Sequence, residues 1–437
     1  HNAILSSYPY IIGEKGFNAK RIEELSGAKI YINGNTEAII YGTFSQREKA
    51  KILIEETILK FMSRPTFGSF LLATDDTSRL SSKDIRYRFV EFFDENNNII
   101  NKHLRTQKYI MERISESDNG RGEDKLADRI MDKNHEKMDT HHKTFRTQSA
   151  LGSGSFGTLD KLDECLKRIF VDLYNRSINP REPRFQIRLY LFFGRQAFLR
   201  VNPQETLSLD DFCEIKRHSE DIGTLFTHNY PPVYENIGII SEKFKLKPDP
   251  SNEDNRSITI IYVDSDQQKK KIKLVWDEKE ELWKIEKVVR NMKRHAIISI
   301  ISGTNAPDLR FIVKTKCDVF VTPKLKKIIN DLQTKNPIPD ANGMLFKLSD
   351  FEGKLDCISV RQKIKSCYSN EKFKIIRAIE TQEVKGYDPY TTKHISLKKL
   401  SWKQDNKKVT KTDFNDISSI HETIKFAREI AKFVDVL

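Results

Sequence analysis

Between Phe17 and Phe61 the apolar positions change their period three times. Ala19, Ile22 and Leu25 recur about one helical turn apart, with Lys20, Arg21, Glu23 and Glu24 on the other faces, which predicts a helix. Gly27 closes it. From Ala28 to Ile32 the pattern alternates and predicts a strand, ended by the turn signal Asn33-Gly34-Asn35, with Ala38–Gly42 as its partner. A second helix follows. Ser45 and Glu48 are spaced as a capping box, and Ala50, Leu53, Ile54, Thr57, Ile58 and Phe61 form its buried face. Upstream, Tyr10-Ile11-Ile12 leads into a tight turn, Gly13-Glu14-Lys15-Gly16.

Farther along, Phe67–Ala73 and Ile85–Phe93 read as strands, the second with Tyr87, Phe89 and Glu91 on one face and Arg86, Arg88, Val90 and Phe92 on the other, both faces mixed. Large apolar residues then thin out, and charge dominates from Asn101 to Gly152. A helix with Leu159, Leu162, Leu166, Ile169, Phe170 and Leu173 inward spans Thr158–Tyr174, and a strand-rich block covers Phe185–Leu199. Strands at 257–263, 271–276, 282–289, 294–300 and 308–313, joined by short polar turns, predict a mostly antiparallel meander. Pro323 opens a short helix, and Ile417, Ile420, Ile424, Ala427, Ile430 and Phe433 mark a C-terminal one. The fold class is α+β with largely antiparallel sheets. Its expected units are a compact module (1–62), a strand-rich connector (63–100), a charged flexible linker (101–157), an α+β domain (158–252) and a β-rich α+β domain with a C-terminal helix (253–437).

Composition narrows the partners. A chain of 437 residues exceeds one ordinary core, and 38% hydrophobic residues suffice to build several. Lys and Arg number 75 against 62 Asp and Glu, a net +13 that favours a polyanion, nucleic acid before an anionic membrane. No apolar run approaches the roughly 18 residues of a membrane helix. There is no initiator Met and no recognisable targeting peptide, and His1 falls inside what reads as a domain, so the chain reads as a fragment, with an upstream leader or anchor left open. The five cysteines form no CxxC pair, which points to neither a zinc knuckle nor a disulfide scaffold. HExxH, GxSxG and a framework of paired carboxylates are missing. Gly152–Gly157 carries the letters GxGxxG but follows polar linker sequence, and reads as a flexible joint. His135, His141 and His142 sit in the same charged stretch and read as solvated. The expectation is a non-enzymatic protein without metal or cofactor.

The glycine turn has its own chemistry. Two glycines let another backbone approach closely, and the helix from Phe17 aims unsatisfied N–H groups at the turn. Lys15, Lys20 and Arg21 add charge, while Glu14 opposes it. The order helix, glycine turn, helix, strand, strand, helix resembles the eukaryotic type I KH fold. The family's GXXG loop falls on Gly13–Gly16, and its following pattern on Ala19, Ile22, Gly27, Ala28 and Ile30. The resemblance implies a module that holds about four nucleotides of single-stranded RNA or DNA, with a first strand lying before His1. Phosphates would meet Gly13, Glu14, Lys15, Gly16, Lys20 and Arg21, and bases a groove of Ile11, Ile12, Ala19, Ile22 and Ile30.

A second basic run includes Lys269, Lys270, Lys271, Lys273, Lys293 and Arg294. It fits either an auxiliary phosphate-binding sheet face or an ordinary salt-laced surface, since acids are interspersed. The segments "RYRFVEFFDENNNI" (86–99), "RLYLFFGRQAFL" (188–199) and "DLRFIVKTKCDVF" (308–320) resemble the fungal mitochondrial inner-membrane regulator family of Sls1 type. That resemblance implies a factor on the matrix face of the inner membrane that supports mitochondrial mRNA expression or translation. It also implies protein partners in that machinery and membrane association through a segment outside this chain. The expected function is a non-catalytic single-stranded RNA-binding adaptor. The alternative is a protein scaffold whose KH fold no longer contacts nucleic acid.

Overall fold

The computed structural model describes residues 11–12, 16–33, 37–62, 67–73, 86–92, 107–114, 155–179, 185–199, 201–203, 206–208, 211, 223–228, 230–249, 255–264, 269–290, 294–317, 321–338, 345–386, 389–402 and 417–437. The architecture is α+β, as the periodicities predict.

The N-terminal module follows its sequence pattern closely. Helix α1 (Phe17–Ser26) begins at Gly16, whose φ of 78° needs glycine, and ends at Gly27, φ 72°, whose N–H donates to Glu23 O at 2.8 Å. The Glu23 carboxylate then accepts from Ile30 N at 2.8 Å, tying the helix to the strand after it. Strands β1 (Lys29–Asn33) and β2 (Glu37–Tyr41) pair antiparallel, with Ile30 opposite Ile40. Ile22, Ala28, Ala50 and Leu53 make the core. Helix α2 (Phe44–Met62) starts earlier than the Ser45–Glu48 spacing predicts. Thr43 and Gln46 form the reciprocal pair instead: Thr43 N donates to Gln46 Oε1 at 2.9 Å, and Gln46 N to Thr43 Oγ1 at 3.4 Å. Gln also fits the box, and the Thr43 spacing satisfies two donors with a cap two residues earlier. The side chains of Ile58 and Phe61 and the loop residues 13–15 lie outside the described residues.

The rest is organised by one large sheet. Its strands are β3 (Phe67–Leu72), β4 (Arg86–Glu91), β5 (Lys108–Arg113), β6 (Ser155–Thr158), β7 (Gln186–Leu199), β8 (Thr206–Ser208), β9 (Gly223–Thr227) and β10 (Lys247–Pro248). They continue with β11 (Asn255–Val263), β12 (Lys269–Asp277), β13 (Leu282–Arg290), β14 (Arg294–Ile301) and β15 (Asp308–Lys316). The last three are β16 (Asp356–Ser369), β17 (Phe373–Val384) and β18 (Tyr390–Lys399). The main path runs β13-β12-β11-β16-β17-β18-β7-β15-β14-β3-β6, antiparallel except where β3 lies parallel to β14 and β6. Residues 67–72, read locally as a connector, are therefore an integral strand, and the GxGxxG segment ends in strand β6 rather than a joint. Partner choice across more than 200 residues leaves no local signal.

Helices cover the outer face. They are α3 (Leu162–Ser177), α4 (Pro231–Glu235), α5 (Ile237–Lys243), α6 (Pro323–Lys335) and α7 (Ile417–Asp435). Leu162, Leu166, Ile169, Phe170 and Leu173 of α3 and Ile420, Ile424, Ala427 and Ile430 of α7 are buried, on the faces their spacing predicts. Phe426 stacks on Phe373 of β17 at 4.2 Å. Each such large side chain contributes about 1.5–3 kcal/mol by leaving water. On the other side, Leu325, Ile328, Ile329 and Leu332 of α6 pack with Trp283, Ile260 and Phe351.

β7 holds two arrangements together. Its first part, Gln186 to Gly194, pairs with β15, and its last part, Arg195 to Leu199, pairs with β9. Arg195 donates to the carbonyls of Thr304 (2.8 Å), Ala306 (2.7 Å) and Asn305, pinning the turn between β14 and β15. It is a fold-stabilising clamp.

Candidate nucleic-acid and anion sites

In the N-terminal module the start of α1 is open to an anion. Gly16 makes no side-chain cap and the first turn holds no acid, so among the described residues nothing offsets the helix's positive end. Lys20 is exposed and Arg21 half-buried. Ile11 and Ile22 are buried in the core, at 2% and 3% exposure, so the accessible apolar shelf is Ile12, Ala19 and Ile30. That shelf is narrower than the sequence pattern implies.

The large sheet creates a second site. From β13 to β14 the main path passes through nine strands, which in a flat sheet would set those two about 38 Å apart. Yet β13 ends at Arg290 and β14 begins at Arg294, a link that spans at most about 14 Å. The sheet must curl until its ends meet. Strand alternation then sends one face outward to the helices and the other into a lumen.

Cations line that lumen. On β16, Arg361, Lys363 and Lys365 project inward at successive levels, since they share a face while Val360 packs into the outer core. Around Arg361 and Lys363, Lys314 of β15 lies within electrostatic reach of Arg294 on β14 and Lys271 on β12. Around Lys365 come Lys273 of β12 and Lys398 of β18. Lys398 in turn meets Arg188 of β7 and Lys287 of β13. The carboxylates facing them are already engaged. Burial would raise Glu286, but Lys273 and Lys287 outweigh it and hold the carboxyl at about 2. Glu380 is likewise held below its ordinary range, against burial, by Lys363 and Arg361, each 3.5 Å away.

The interior keeps accessible surface on its charged side chains. Lys273 and Lys363 keep 20% and 22% of their side-chain surface accessible, and Arg294 is exposed although strands surround it. Arg361 Nε, Arg310 Nε, Ser299 Oγ and Gln382 Oε1 are buried atoms with no hydrogen-bond partner among the described residues. Toward one end the lining turns aromatic. Arg310 lies 4.2 Å over the Phe226 ring, and Phe192 meets His228 edge-on at 4.7 Å. His394 contacts Lys363 at 2.5 Å, and burial, then Lys363 and Lys365, pushes its pKa well below the ordinary value. No group of three or more His, Cys, Asp or Glu that could hold a metal ion occurs among the described residues.

Burial, with like charges held together, makes the lumen pH-sensitive. Burial first, and then Arg294, Lys271, Arg361 and Lys363, bring Lys314 to about 7. Burial first, and then Lys273, Lys363 and Lys398 against the opposing Glu286, bring Lys365 to about 7. In the unfolded chain both titrate near 10.4. Between these values the unfolded state binds more protons, so stability rises with pH. His228 and His394, both depressed, act in the same direction below about pH 6.5. The midpoint of thermal unfolding in dilute buffer is expected to be several degrees higher at pH 9 than at pH 7. An unchanged or falling midpoint would mean the lysines are fully solvated.

Residues 5–56 match the KH domain family. The N-terminal module is a KH domain. No curated protein matches the chain. Among solved structures, the S. pombe Pct1 RNA triphosphatase in complex with the Spt5 CTD is similar over 61% of this chain and 93% of that one, at 12% identity and a TM-score of 0.31. The same enzyme alone gives 60% and 91%, 12% identity and 0.33. The RNA triphosphatase domain of a mimivirus mRNA capping enzyme gives 62% and 98%, 9% identity and 0.29.

The expected site residues divide accordingly. The KH domain's Gly16, Lys20, Arg21, Ile11, Ile12, Ala19, Ile22 and Ile30 all cluster about α1 and β1, while Gly13, Glu14 and Lys15 lie outside the described residues. The auxiliary basic run does not form one face. Lys271, Lys273 and Arg294 enter the lumen, but Lys270 alternates outward and pairs with Asp264. Lys293 and the Lys269 side chain lie outside the described residues. Arg361, Lys363, Lys365, Lys314 and Lys398 went unrecognised in the sequence. The available signal was cations two residues apart on strands whose alternate positions are apolar.

Proposed function

We propose that the chain is a non-catalytic adaptor that binds single-stranded RNA through its KH domain. The observation that carries this reading is the uncapped start of α1 at left-handed Gly16, within a segment matching the KH domain family. Phosphates meet the Gly13–Gly16 loop, Lys20 and Arg21, and bases rest on Ile12, Ala19 and Ile30. The engagement of Glu286 and Glu380 by lysines supports a binding role over a catalytic one. Support of mitochondrial transcripts at the matrix face of the inner membrane, with protein partners there, rests on the three segments that resemble the Sls1-type family.

Fluorescence anisotropy with short single-stranded RNAs tests the reading, at low and physiological salt. Saturable, salt-weakened binding near the micromolar range is expected, reduced about tenfold or more by Glu14→Asp with Lys15→Asp. The paired substitution keeps both glycines and exchanges the lysine for a second acid. Equal binding by the folded variant would move RNA contact away from this loop. No binding up to roughly 100 μM would favour the protein-scaffold alternative.

A further inference from the structure

We infer that the lumen of the curled sheet is a second, separate binding site, for a short chain of phosphates held by lysine and arginine alone, without a divalent metal. Three observations carry it. Cations project inward from strands on opposite walls: Lys271 and Lys273, Arg361 to Lys365, Lys314, and Lys398. The levels of Arg361, Lys363 and Lys365 extend over about 13 Å, which suits a linear polyanion better than one orthophosphate. Buried polar atoms, Arg361 Nε and Gln382 Oε1 among them, face the interior with no partner among the described residues.

The metal-free character follows from charge. A phosphate chain in most protein sites brings a divalent cation that neutralises it and needs free carboxylates. Here the carboxylates Glu286 and Glu380 are each bound to lysine, and an entering divalent cation meets an excess of positive charge. Burial and then neighbouring cations lower Lys314 and Lys365; a polyanion offsets the second of these, so its binding draws protons onto them.

Two sources share this chemistry, a free oligophosphate and the 5′-triphosphate end of an RNA. Calorimetry of the full chain with tripolyphosphate, with and without excess Mg²⁺, reads the first. Competition by a 5′-triphosphorylated RNA oligonucleotide against its 5′-hydroxyl twin reads the second. Tripolyphosphate is expected to bind saturably and more tightly than orthophosphate, and Mg²⁺ that sequesters it is expected to weaken binding. Displacement by the triphosphorylated RNA beyond that by its twin assigns the RNA end; equal displacement assigns the free anion.

The variant Lys314→Met with Lys365→Met removes two buried cations, each repelled by its own neighbours and both by Lys363. It is expected to melt no lower than the parent while binding tripolyphosphate about tenfold or more weakly. Glu14→Asp with Lys15→Asp leaves this binding intact, so the KH domain and the lumen fail independently. Binding that requires Mg²⁺, an equal affinity for orthophosphate, unchanged binding by the folded lysine variant, or no binding by the parent would each overturn the inference.

Discussion

Arg195→Met is expected to destabilise the protein by about 3–5 kcal/mol, the range for removing one partner of a buried ion pair. Arg195 and Asp308 are 8% and 3% exposed, with Arg195 Nη1 3.9 Å from Asp308 Oδ1. Asp308 accepts from the backbone N–H groups of Gln196 and Ser302, both at 2.8 Å, so its charge cannot leave with its partner. Burial already raises its pKa against the pull of Arg195, and without the guanidinium that penalty stands unopposed. Met fills much of the volume but removes the guanidinium that Thr304, Asn305 and Ala306 share, leaving their carbonyls only the hydroxyls of Ser302 and Tyr230. Thermal unfolding should fall by about 10 °C, given roughly 2–4 °C per kcal/mol for a domain of this order. Arg195→Lys should recover only part of the loss, because a point charge cannot reach three carbonyls at once. A shift below about 2 °C in the Met variant would show that the clamp is solvated.

Gly194→Ala should be comparably severe for a different reason. A Cβ at this position would stand 2.0 Å from the carbonyl oxygen of Thr227 and 2.6 Å from the Phe226 ring. The ring can turn but the carbonyl belongs to β9, held in register with Arg195. Overpacking that only a backbone shift relieves costs about 3 kcal/mol or more. Moving Phe226 also disturbs the seat of Arg310, which lies over that ring, so lumen binding weakens along with stability. Urea unfolding of Gly194→Ala, alone and with Phe226→Leu, separates the two contacts. Full rescue by the smaller side chain would show that the ring, not the backbone, was the obstacle.

The sequence was most legible where structure is local. The run from Ala19 to Gly27 predicts α1 and its stop, because helix period and glycine stop act within ten positions. The Thr43–Gln46 cap shows the limit of that reading. Two overlapping spacings satisfied the same rule, and the structure uses the earlier one. β11 to β15 likewise matched their alternating runs within a few residues. Where a strand went was not legible. Nothing near Phe67 says that β3 lies beside β14 and β6.

The same division holds for the sites. Gly13–Gly16 and the helix after it are contiguous, and their chemistry is written in one short segment. The lumen is assembled from residues between Arg188 and Lys398, each an ordinary strand cation when read alone. By itself the sequence determined the α+β class, the KH domain and the positions of most helices and strands, since period, caps and turns are short-range. The tertiary structure decided that the sheet curls, that its cationic face turns inward and that Arg195 is a clamp. Those outcomes depend on which strands meet, and long-range pairing is set by the joint burial of outer faces under α3, α6 and α7 rather than by any one segment's pattern.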